Sequence, residues 1–576
     1  MEIILDSSDR LDILRHSTAH LMAQAVQRIF PTALKAIGPT TKDGFFYDFD
    51  LEHPIVEEDL ISIEKEMRKI VKEKLTIEKE VISKQEAIKL FEKMGEIYKV
   101  EILKGIADDT VSIYRQGEFI DLCRGPHVAN TNEICSFKLK NVSGAYWRND
   151  SQNKMLQRVY GYAFQSEKDL EDHLNFLIEA EKRDHRRLGR ELGLFFIDKY
   201  SPGSPFFLPK GMVLRNILED ISKEEHKKAG YSQIKTPTIM KQQLWEISGH
   251  LENYLENMYI TDAEKDNYAV KPMSCPGAML LFKNEIRSYK DLPFKVSEMG
   301  NVFRKELSGA VHGLMRMREF TQDDAHIFLD YENIEGEIIK VIELVDKFYG
   351  DIFKFKYTVE LSTRPDKYIG SIEQWDKAVE ALKASIETKG LKFKINEGDG
   401  AFYGPKIDFK VEDAIGRLWQ CATIQLDFNL AERFDLSYVG SDGEKHRPLI
   451  VHRAIYGSIE RFMGILIEHY EGRFPFWLAP IQVVILTVSE KSLEYGEELV
   501  KDLGKNGIRV ELYGSSEKIG QKIKRAFLNK IPLQVVVGEK EANEGMVSVR
   551  ELGKESEKLK RDIFLKEYIE NLKKRK

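Results

Sequence analysis

The segment 303–328, FRKELSGAVHGLMRMREFTQDDAHIF, most constrains the fold, because it concentrates charged groups between two β-prone runs. Apolar residues flank a glycine-containing connection, which predicts a strand, a loop and a second strand paired as a hairpin. Arg304 and Arg316 would place phosphate-binding cations on this hairpin, and His326 would add a metal-type ligand. The alternative is a charged surface hairpin, and these residues alone do not decide between the two.

Two further segments carry side chains that a metal ion could use. The run 271–277, KPMSCPG, places Cys275 in a loop bracketed by prolines, and the run 451–462, VHRAIYGSIERF, places His452 before an apolar helix. With His326 they supply one thiolate and two imidazoles, and three protein ligands leave a catalytic zinc an open position. Because the spacings are long, the alternative is three ordinary buried residues.

A second cluster is predicted near the N-terminus. Residues 14–30 have apolar residues at helical spacing before a proline, so His16 and His20, at i and i+4, share one face. The run 121–128, DLCRGPHV, places Cys123 and His127 in a loop, because its glycine and proline exclude a regular helix. From these residues alone, the four side chains predict a zinc quartet.

Length and composition bound the class of protein. A chain of 576 residues predicts three or four domains. No apolar run reaches the ~20 residues that span a bilayer, and no signal peptide pattern occurs, so we expect no membrane association. The four scattered cysteines lack disulfide spacing, which is typical of a reducing cytoplasm. With a net charge of −7, an RNA partner would need a local basic face.

The remaining segments are read by pattern. Residues 44–50 predict a strand, and residues 57–74 and 165–191 predict charged helices. Residues 397–428 predict two antiparallel strands, and about half of their polar side chains should face each side of the sheet. The side chains in question are Tyr403, Lys406, Gln420, Thr423 and Gln425. From residue 479, strands and helices alternate, which predicts a small α/β domain with a mainly parallel sheet. No P-loop motif occurs.

Several motifs resemble those of class II aminoacyl-tRNA synthetases. FRKE with its loop and second arginine is similar to motif 2 of that class, YGSIERF to motif 3, and GYSQIKTP to the end of motif 1. Together with KPMSCPG, FTQDDAHIF, AFYGPKIDF and WQCATIQLDF, they resemble the bacterial type of the threonyl-tRNA synthetase family over nearly the whole chain. The resemblance implies a multidomain α+β fold with an antiparallel β-sheet catalytic core and flanking helices. It also implies an N-terminal α+β editing domain and a C-terminal α/β anticodon-binding domain.

The resemblance implies domain boundaries and partners. The editing domain would span residues 1–165, a helical linker 166–191, the catalytic domain 192–478 and the anticodon-binding domain 479–576. The implied activity is ATP-dependent formation of threonyl-adenylate from L-threonine, followed by transfer to the 3′ end of tRNA(Thr). Mg²⁺ would accompany ATP. The chain would form a homodimer through motif 1, and it would act in the cytoplasm.

The resemblance also assigns site residues. Arg304 would contact the α-phosphate, Glu306 the adenine amino group and Arg316 the polyphosphate, while Arg461 would lie over the adenine or near the γ-phosphate. The implied catalytic residues are Arg304, Lys406 and Arg461. The implied ATP-binding residues are Arg304, Glu306, Arg316, Gln420, Thr423 and Arg461. The implied threonine-binding residues are Met273, Gln322, Asp324, Tyr403 and Gln425.

Zinc and editing are linked expectations. The resemblance implies one Zn²⁺ per chain on Cys275, His326 and His452, which would take the amino and hydroxyl groups of threonine and so reject valine. Serine keeps both groups and loses only a methyl, worth ~1–3 kcal/mol, so a second, hydrolytic site is required. The resemblance assigns hydrolysis of mischarged Ser-tRNA(Thr), rather than metal binding, to the N-terminal cluster. Its residues are His16, His20, Asp121, Cys123 and His127.

One departure and two alternatives remain. The HSTAH helix begins at residue 16, so we expect the small ubiquitin-like domain that usually precedes the editing domain to be absent. The chain could be another class IIa synthetase, such as a prolyl or seryl enzyme, or a non-catalytic RNA-binding paralogue. The cysteine and two histidines argue against the first, and the presence of Arg304, Glu306 and Arg461 argues against the second.

Overall fold

The computed structural model describes residues 7–263, 266–552 and 554–574. Two compact units make up the chain, one that reaches to Ile178 and one that begins at Glu179. In these described ranges, none of the helices combines the length and the apolar character needed to cross a membrane.

The first unit contains two antiparallel sheets. The four-stranded sheet runs through Leu34–Lys35, Gly44–Asp50, Met155–Phe164 and Ser136–Tyr146. The helices that pack on it are Ser7–Ile29 and Asp59–Glu73. The three-stranded sheet runs through Ile77–Ser83, Thr110–Gln116 and Phe119–Leu122. The helices beside it are Lys84–Lys93 and Ile97–Gly105. The strand predicted at 44–50 and the helices predicted near 14–30 and 57–74 are confirmed.

Apolar spacing explains how the second of these helices packs. Leu60, Ile63, Met67 and Ile70 recur at intervals of three and four residues, which places them on one face, and all four are buried. The prediction of one long helix over 165–191 is wrong in one respect. It is two helices, Glu167–Arg183 and His185–Glu191, because the Asp184 carboxylate accepts the backbone N–H of Arg186 at 2.7 Å and caps the second one.

The second unit is organised around an eight-stranded sheet. Its strands, from edge to edge, are Ser232–Gln233, Phe294–Phe303, Glu319–Leu329, Leu449–Ala454, Leu418–Asp427, Lys406–Glu412, Lys356–Ser362 and Phe393–Asn396. Only the two edge pairings are parallel, and the six inner strands are antiparallel. The principal flanking helices are Pro209–Lys228, Ile334–Asp346, Ile372–Thr388 and Ile459–His469. The predicted antiparallel core with flanking helices is confirmed.

Smaller elements surround this sheet. The strands are Phe195–Phe196 with Phe206–Phe207, then Ile239–Lys241, Asp266–Val270 and Tyr259–Ala263, then Arg287–Ser288, Tyr438–Val439 and Lys445–His446. The short helices are Gln243–Ile247, His250–Tyr254, Cys275–Lys283, Lys347–Ile352 and Leu430–Arg433. Cys275 was predicted in a loop, but it is the first residue of the helix Cys275–Lys283, because a proline is tolerated in the first turn of a helix.

The C-terminal part alternates strands and helices as predicted. The helices are Leu493–Lys505, Ile519–Leu528, Glu539–Glu544 and Arg561–Lys573. The sheet order is Val510–Tyr513, Val483–Thr487, Leu533–Val537, Met546–Glu551 and Ser556–Lys560. The prediction of a mainly parallel sheet is wrong, because two pairings are parallel and two antiparallel. Residues 538–545 are too few for a parallel crossover, which needs about a dozen residues.

Candidate active site

Alternation along one strand sorts the polar residues of the 303–328 hairpin. On Glu319–Leu329, Gln322, Asp324 and His326 line a cavity of about 400 Å³. Asp323, between them, points to the opposite face and accepts backbone N–H groups of Ile455 and Tyr456 at 2.8–3.0 Å. The antiparallel pairing of this strand with Phe294–Phe303 confirms the predicted hairpin.

The predicted metal ligands Cys275, His326 and His452 all line that cavity. His326 and His452 are directly opposed on neighbouring antiparallel strands, with ring centroids 4.9 Å apart. The Cys275 thiol lies 3.7 Å from Nε2 of His250, and burial raises its pKa well above the ordinary value. The three ligand atoms are not all within 4.8 Å of one another.

The donor set fits a zinc ion in two respects. Among the residues that the structure describes, none hydrogen-bonds the buried Nε2 of His326, so this nitrogen is open to a metal ion. Nε2 of His452 lies 2.9 Å from Oδ2 of Asp427, the carboxylate contact that typically orients a metal-binding imidazole and frees its other nitrogen. Ligands around a tetrahedral zinc lie roughly 3.3–3.7 Å apart, so the three atoms must approach one another on binding.

The predicted threonine-binding residues lie on the same cavity. Met273, Gln322, Asp324, Tyr403 and Gln425 all contribute to its lining. Tyr403 donates its hydroxyl to Oε1 of Gln425 at 2.5 Å, and its ring lies 5.1 Å from that of His452. Burial and the neighbouring Glu298 raise the pKa of Asp324 to about 7. This end of the site is therefore lined by hydrogen-bonding groups.

A second cavity of about 370 Å³ contains the predicted phosphate-binding groups. Arg304 reaches the carbonyl oxygen of Pro272 at 3.4 Å, and Arg316 pairs with Glu306 at 2.9 Å. Arg461 donates to the carbonyl oxygen of Met315 at 2.9 Å. These three arginines concentrate positive charge on one cavity.

The two cavities share a boundary. The residues that line both are Arg304, Gln322, Lys406, Thr423, Gln425 and Ala454. Groups suited to phosphate and groups suited to a small amino acid therefore meet along one continuous surface.

Asp408 organises the polar side chains of the two long strands. Its Oδ1 accepts from Nε2 of Gln420 at 2.7 Å and from Oγ1 of Thr423 at 3.0 Å, and its Oδ2 pairs with Nζ of Lys406. Asp408 is buried, so these contacts hold the three side chains in place.

The prediction that these polar residues divide between two faces is wrong. All five line the connected cavities. The register shifts between Asp408 and Lys410, which face Thr423 and Gln420 respectively. Such a bulge reverses the alternation, so Gln420 returns to the face that Thr423 already occupies.

The first unit brings together all five predicted editing residues. Cys123 Sγ lies 3.2 Å from Nε2 of His16 and 3.3 Å from Nε2 of His127, and Nε2 of His20 lies 3.4 Å from Oδ2 of Asp121. The ligand atoms of the two helical histidines, Cys123 and His127 all lie within 4.8 Å of one another. A cavity of about 610 Å³ opens beside this cluster.

Burial controls the electrostatics of the cluster. It lowers the pKa values of His16, His20 and His127, so their imidazoles are neutral at physiological pH. It also raises the pKa of the Cys123 thiol to about 11. The cluster therefore offers uncharged imidazoles, which can hydrogen-bond a water molecule, and an uncharged thiol.

Sequence reasoning missed two residues of this site. Nζ of Lys99 lies 2.6 Å from Oδ1 of Asp121, and the Tyr47 hydroxyl donates to Oδ2 of Asp121 at 2.5 Å. Lys99 also lines the cavity. The available signal was a lysine among apolar residues in the run IYKV, residues 97–100, because a lysine that is buried with such neighbours needs a carboxylate partner.

Comparisons with known proteins agree with this geometry. Residues 256–470 match the model of the tRNA synthetase class II core domain (G, H, P, S and T). Residues 482–575 match the anticodon binding domain, and residues 111–160 match the threonyl and alanyl tRNA synthetase second additional domain.

Curated relatives cover nearly the whole chain. The threonine–tRNA ligase of Carboxydothermus hydrogenoformans is 56% identical over 543 residues, which are 94% of this chain and 86% of the relative. That of Fusobacterium nucleatum is 55% identical over 96% of this chain and 89% of the relative. A solved structure described as the RNA binding domain of threonyl-tRNA synthetase from Cryptosporidium parvum Iowa II has a TM-score of 0.65 at 41% identity. The match covers 67% of this chain and 97% of the chain in that solved structure.

The core, with its antiparallel sheet and arginine-lined cavity, defines a class II aminoacyl-tRNA synthetase. Within that class, the chain belongs to the threonine–tRNA ligase family, with an editing-type additional domain.

Proposed function

We propose that the two connected cavities of the second unit form threonyl-adenylate from L-threonine and ATP, and that the threonyl group then passes to the 3′ end of tRNA(Thr). The continuity of the cavities carries this proposal. Because Arg304, Gln322 and Lys406 line both of them, an amino acid carboxylate and an α-phosphate bound on either side would lie next to each other. Positioning and charge neutralisation would then supply the catalysis.

The arginines would hold ATP. Arg304 lies at the boundary and would grip the α-phosphate, because a guanidinium is permanently charged and can bind two oxygens. Arg316 would break its ion pair with Glu306 and contact the polyphosphate. The Glu306 carboxylate would then accept a hydrogen bond from the adenine amino group. Arg461, Gln420 and Thr423 complete the pocket. Mg²⁺ would be held largely by phosphates and water.

Cys275, His326 and His452 would hold one zinc ion, which would accept the amino and hydroxyl groups of threonine as ligands. A plain pocket separates threonine from isosteric valine only about a hundredfold. Around the ion, Gln322 and Asp324 would hydrogen-bond the same substrate groups. Tyr403 and Gln425, which are hydrogen-bonded to each other, would form one side of the pocket.

The cluster in the first unit would hydrolyse Ser-tRNA(Thr). Neutral His16, His20 and His127 can accept a hydrogen bond from a water molecule and so position it for attack. The Cys123 thiol is uncharged below a pKa of about 11, which favours water over a thiolate as the nucleophile. Asp121 would orient the histidine beside it. A quartet of zinc ligands remains the alternative, since their atoms lie close enough together.

Assembly and domain boundaries complete the proposal. The editing domain would span 1–165, the linker 166–191, the catalytic domain 192–478 and the anticodon-binding domain 479–576. The helix Pro209–Lys228 and the edge strand Ser232–Gln233, which carry motif 1, would form the interface of a C2 homodimer. The protein would act in the cytoplasm, where its tRNA and ATP substrates are found.

ATP–pyrophosphate exchange tests the central proposal. We expect exchange that depends on threonine, with serine accepted more weakly and with valine and proline close to background. Exchange with proline or serine in preference to threonine would identify a different class IIa enzyme. A folded protein that binds tRNA(Thr) but supports no exchange would be the non-catalytic paralogue.

A further inference from the structure

The side chain of His185 makes two polar contacts in a fully buried position outside both cavities of the second unit. His185 is the first residue of the helix His185–Glu191 and is 0% exposed. Its Nδ1 lies 2.6 Å from Oε1 of Glu468, and its Nε2 accepts the backbone N–H of Leu314 at 2.9 Å. One neutral tautomer satisfies both contacts, with the proton on Nδ1 and the lone pair on Nε2.

This cluster is not a metal site, although ligand atoms of Asp184, His185 and Glu468 lie within 4.8 Å of one another. The Asp184 carboxylate is paired with Arg186 at 2.5 Å, and Oε2 of Glu468 is paired with Arg417 at 2.5 Å. With both imidazole nitrogens also occupied, the cluster has no free side to offer an ion. One of its contacts, from Nε2 of His185, reaches the backbone of a loop at Leu314.

That loop is shaped to receive the imidazole. Gly313 precedes Leu314 and has a φ of +49°, a conformation that favours glycine. A Cβ atom on Gly313 would lie only 2.1 Å from Nε2 of His185. Both the backbone conformation and the close approach therefore require glycine at this position.

The loop is also part of the ATP-binding cavity. The carbonyl oxygen of Met315, next to Leu314, accepts a hydrogen bond from Nε of Arg461 at 2.9 Å. A hydrogen bond from the His312 N–H to the Arg316 carbonyl oxygen, at 3.0 Å, closes the turn. Met315 and Arg316 both line the cavity.

One helix thus holds two consecutive loop residues. Arg461 and Glu468, on the helix Ile459–His469, are seven residues apart and so lie on one face. The first binds residue 315 directly, and the second reaches residue 314 through His185.

We propose that His185 is a positioning residue for ATP: it transmits the rigid placement of Glu468 to the loop 312–316 and so pre-forms the wall on which Arg316 and Arg461 meet the nucleotide. The proposal rests on the proposed activity, and it concerns a residue that does not touch either substrate.

The test uses two variants of the full-length protein, His185→Ala and Gly313→Ala. The first variant removes the hydrogen bonds of the imidazole to Glu468 and Leu314. The second variant keeps the imidazole but forces the loop away from it, because the added Cβ would lie too close to Nε2. In pyrophosphate exchange, we expect KM for ATP to rise about tenfold, as loss of one buried hydrogen bond predicts, with KM for threonine within about twofold. ATP dissociation constants from calorimetry should rise in parallel.

His446→Ala is the matched control, because His446 also pairs with a carboxylate but lies on the surface. Its KM for ATP should be unchanged. A merely structural histidine would lower the melting temperature and leave both KM values as they are, and that result would overturn the proposal. If His185→Ala does not fold, unchanged ATP binding in Gly313→Ala would overturn it. Calorimetry keeps this outcome separate from a failure of the proposed activity, which would show as no exchange in the unmodified protein.

Discussion

His326 and His452 face each other across two antiparallel strands, with ring centroids 4.9 Å apart and ring planes at 79°. Because opposed residues of neighbouring strands point to the same side of a sheet, both imidazoles enter the cavity that Cys275 reaches from the start of its helix. The sheet therefore brings together two residues that are 126 positions apart in the sequence.

Cys275→Ala should lose both zinc and threonine activation. Two imidazoles alone leave a zinc ion short of the three protein ligands of a catalytic site. Metal analysis of the purified protein should give one zinc per chain before the substitution and none after it. Cys135→Ala, at an exposed cysteine in the first unit, serves as the control and should keep its zinc. Full zinc in Cys275→Ala would remove this ligand assignment.

Asp427→Asn should weaken zinc binding without removing a ligand. The Asp427 carboxylate orients His452 at 2.9 Å, and loss of such a contact typically lowers metal affinity 10–100-fold, roughly. Competition with a chelator measures the change. Asp442→Asn removes a carboxylate that pairs with His446 at 2.8 Å on the surface, and it should leave zinc affinity unchanged. Equal affinities in the two variants would contradict the role of Asp427.

Arg304→Ala should abolish adenylate formation while the protein remains folded. The substitution removes the only cation predicted at the α-phosphate, and loss of such a charge typically costs about 10²–10³ in rate. Pyrophosphate exchange gives the rate, and circular dichroism checks the fold. Lys305→Ala removes an exposed positive charge one position away and should retain near-normal exchange. Near-normal exchange in folded Arg304→Ala would exclude the α-phosphate role.

His20→Ala should separate the two sites. Threonine activation should be unchanged, because His20 lies in the first unit and the proposed activation site lies wholly in the second. Hydrolysis of Ser-tRNA(Thr) should fall, since a buried imidazole that would position water beside Asp121 is lost.

Metal content decides between the two interpretations of this cluster. If it acts in editing without a metal, zinc per chain should stay at one in His20→Ala. If it is a zinc quartet, the unmodified protein should hold two zinc ions and the variant one, with lower stability of the first unit, because structural zinc contributes directly to folding. Normal Ser-tRNA hydrolysis in the variant would remove His20 from the editing mechanism.

Local periodicity determined much of this structure. The two-residue repeat of a strand is enough to place Gln322, Asp324 and His326 on one face, and the helical repeat is enough to pair His16 with His20. Both relations depend only on neighbours in the chain. The motifs around Arg304 and Arg461 likewise predicted the class II core that the structure contains.

Tertiary structure decided what depends on distant partners. The bulge that returns Gln420 to the face of Thr423 exists only in the pairing of its strand with Lys406–Glu412, so alternation alone predicted the wrong side. The contact of Asp427 with His452 and the relay through His185 join residues that no local pattern connects. Short-range spacing thus predicts which way a side chain points, whereas strand register and buried hydrogen bonding determine what it meets, because both are set by the packing of the whole unit.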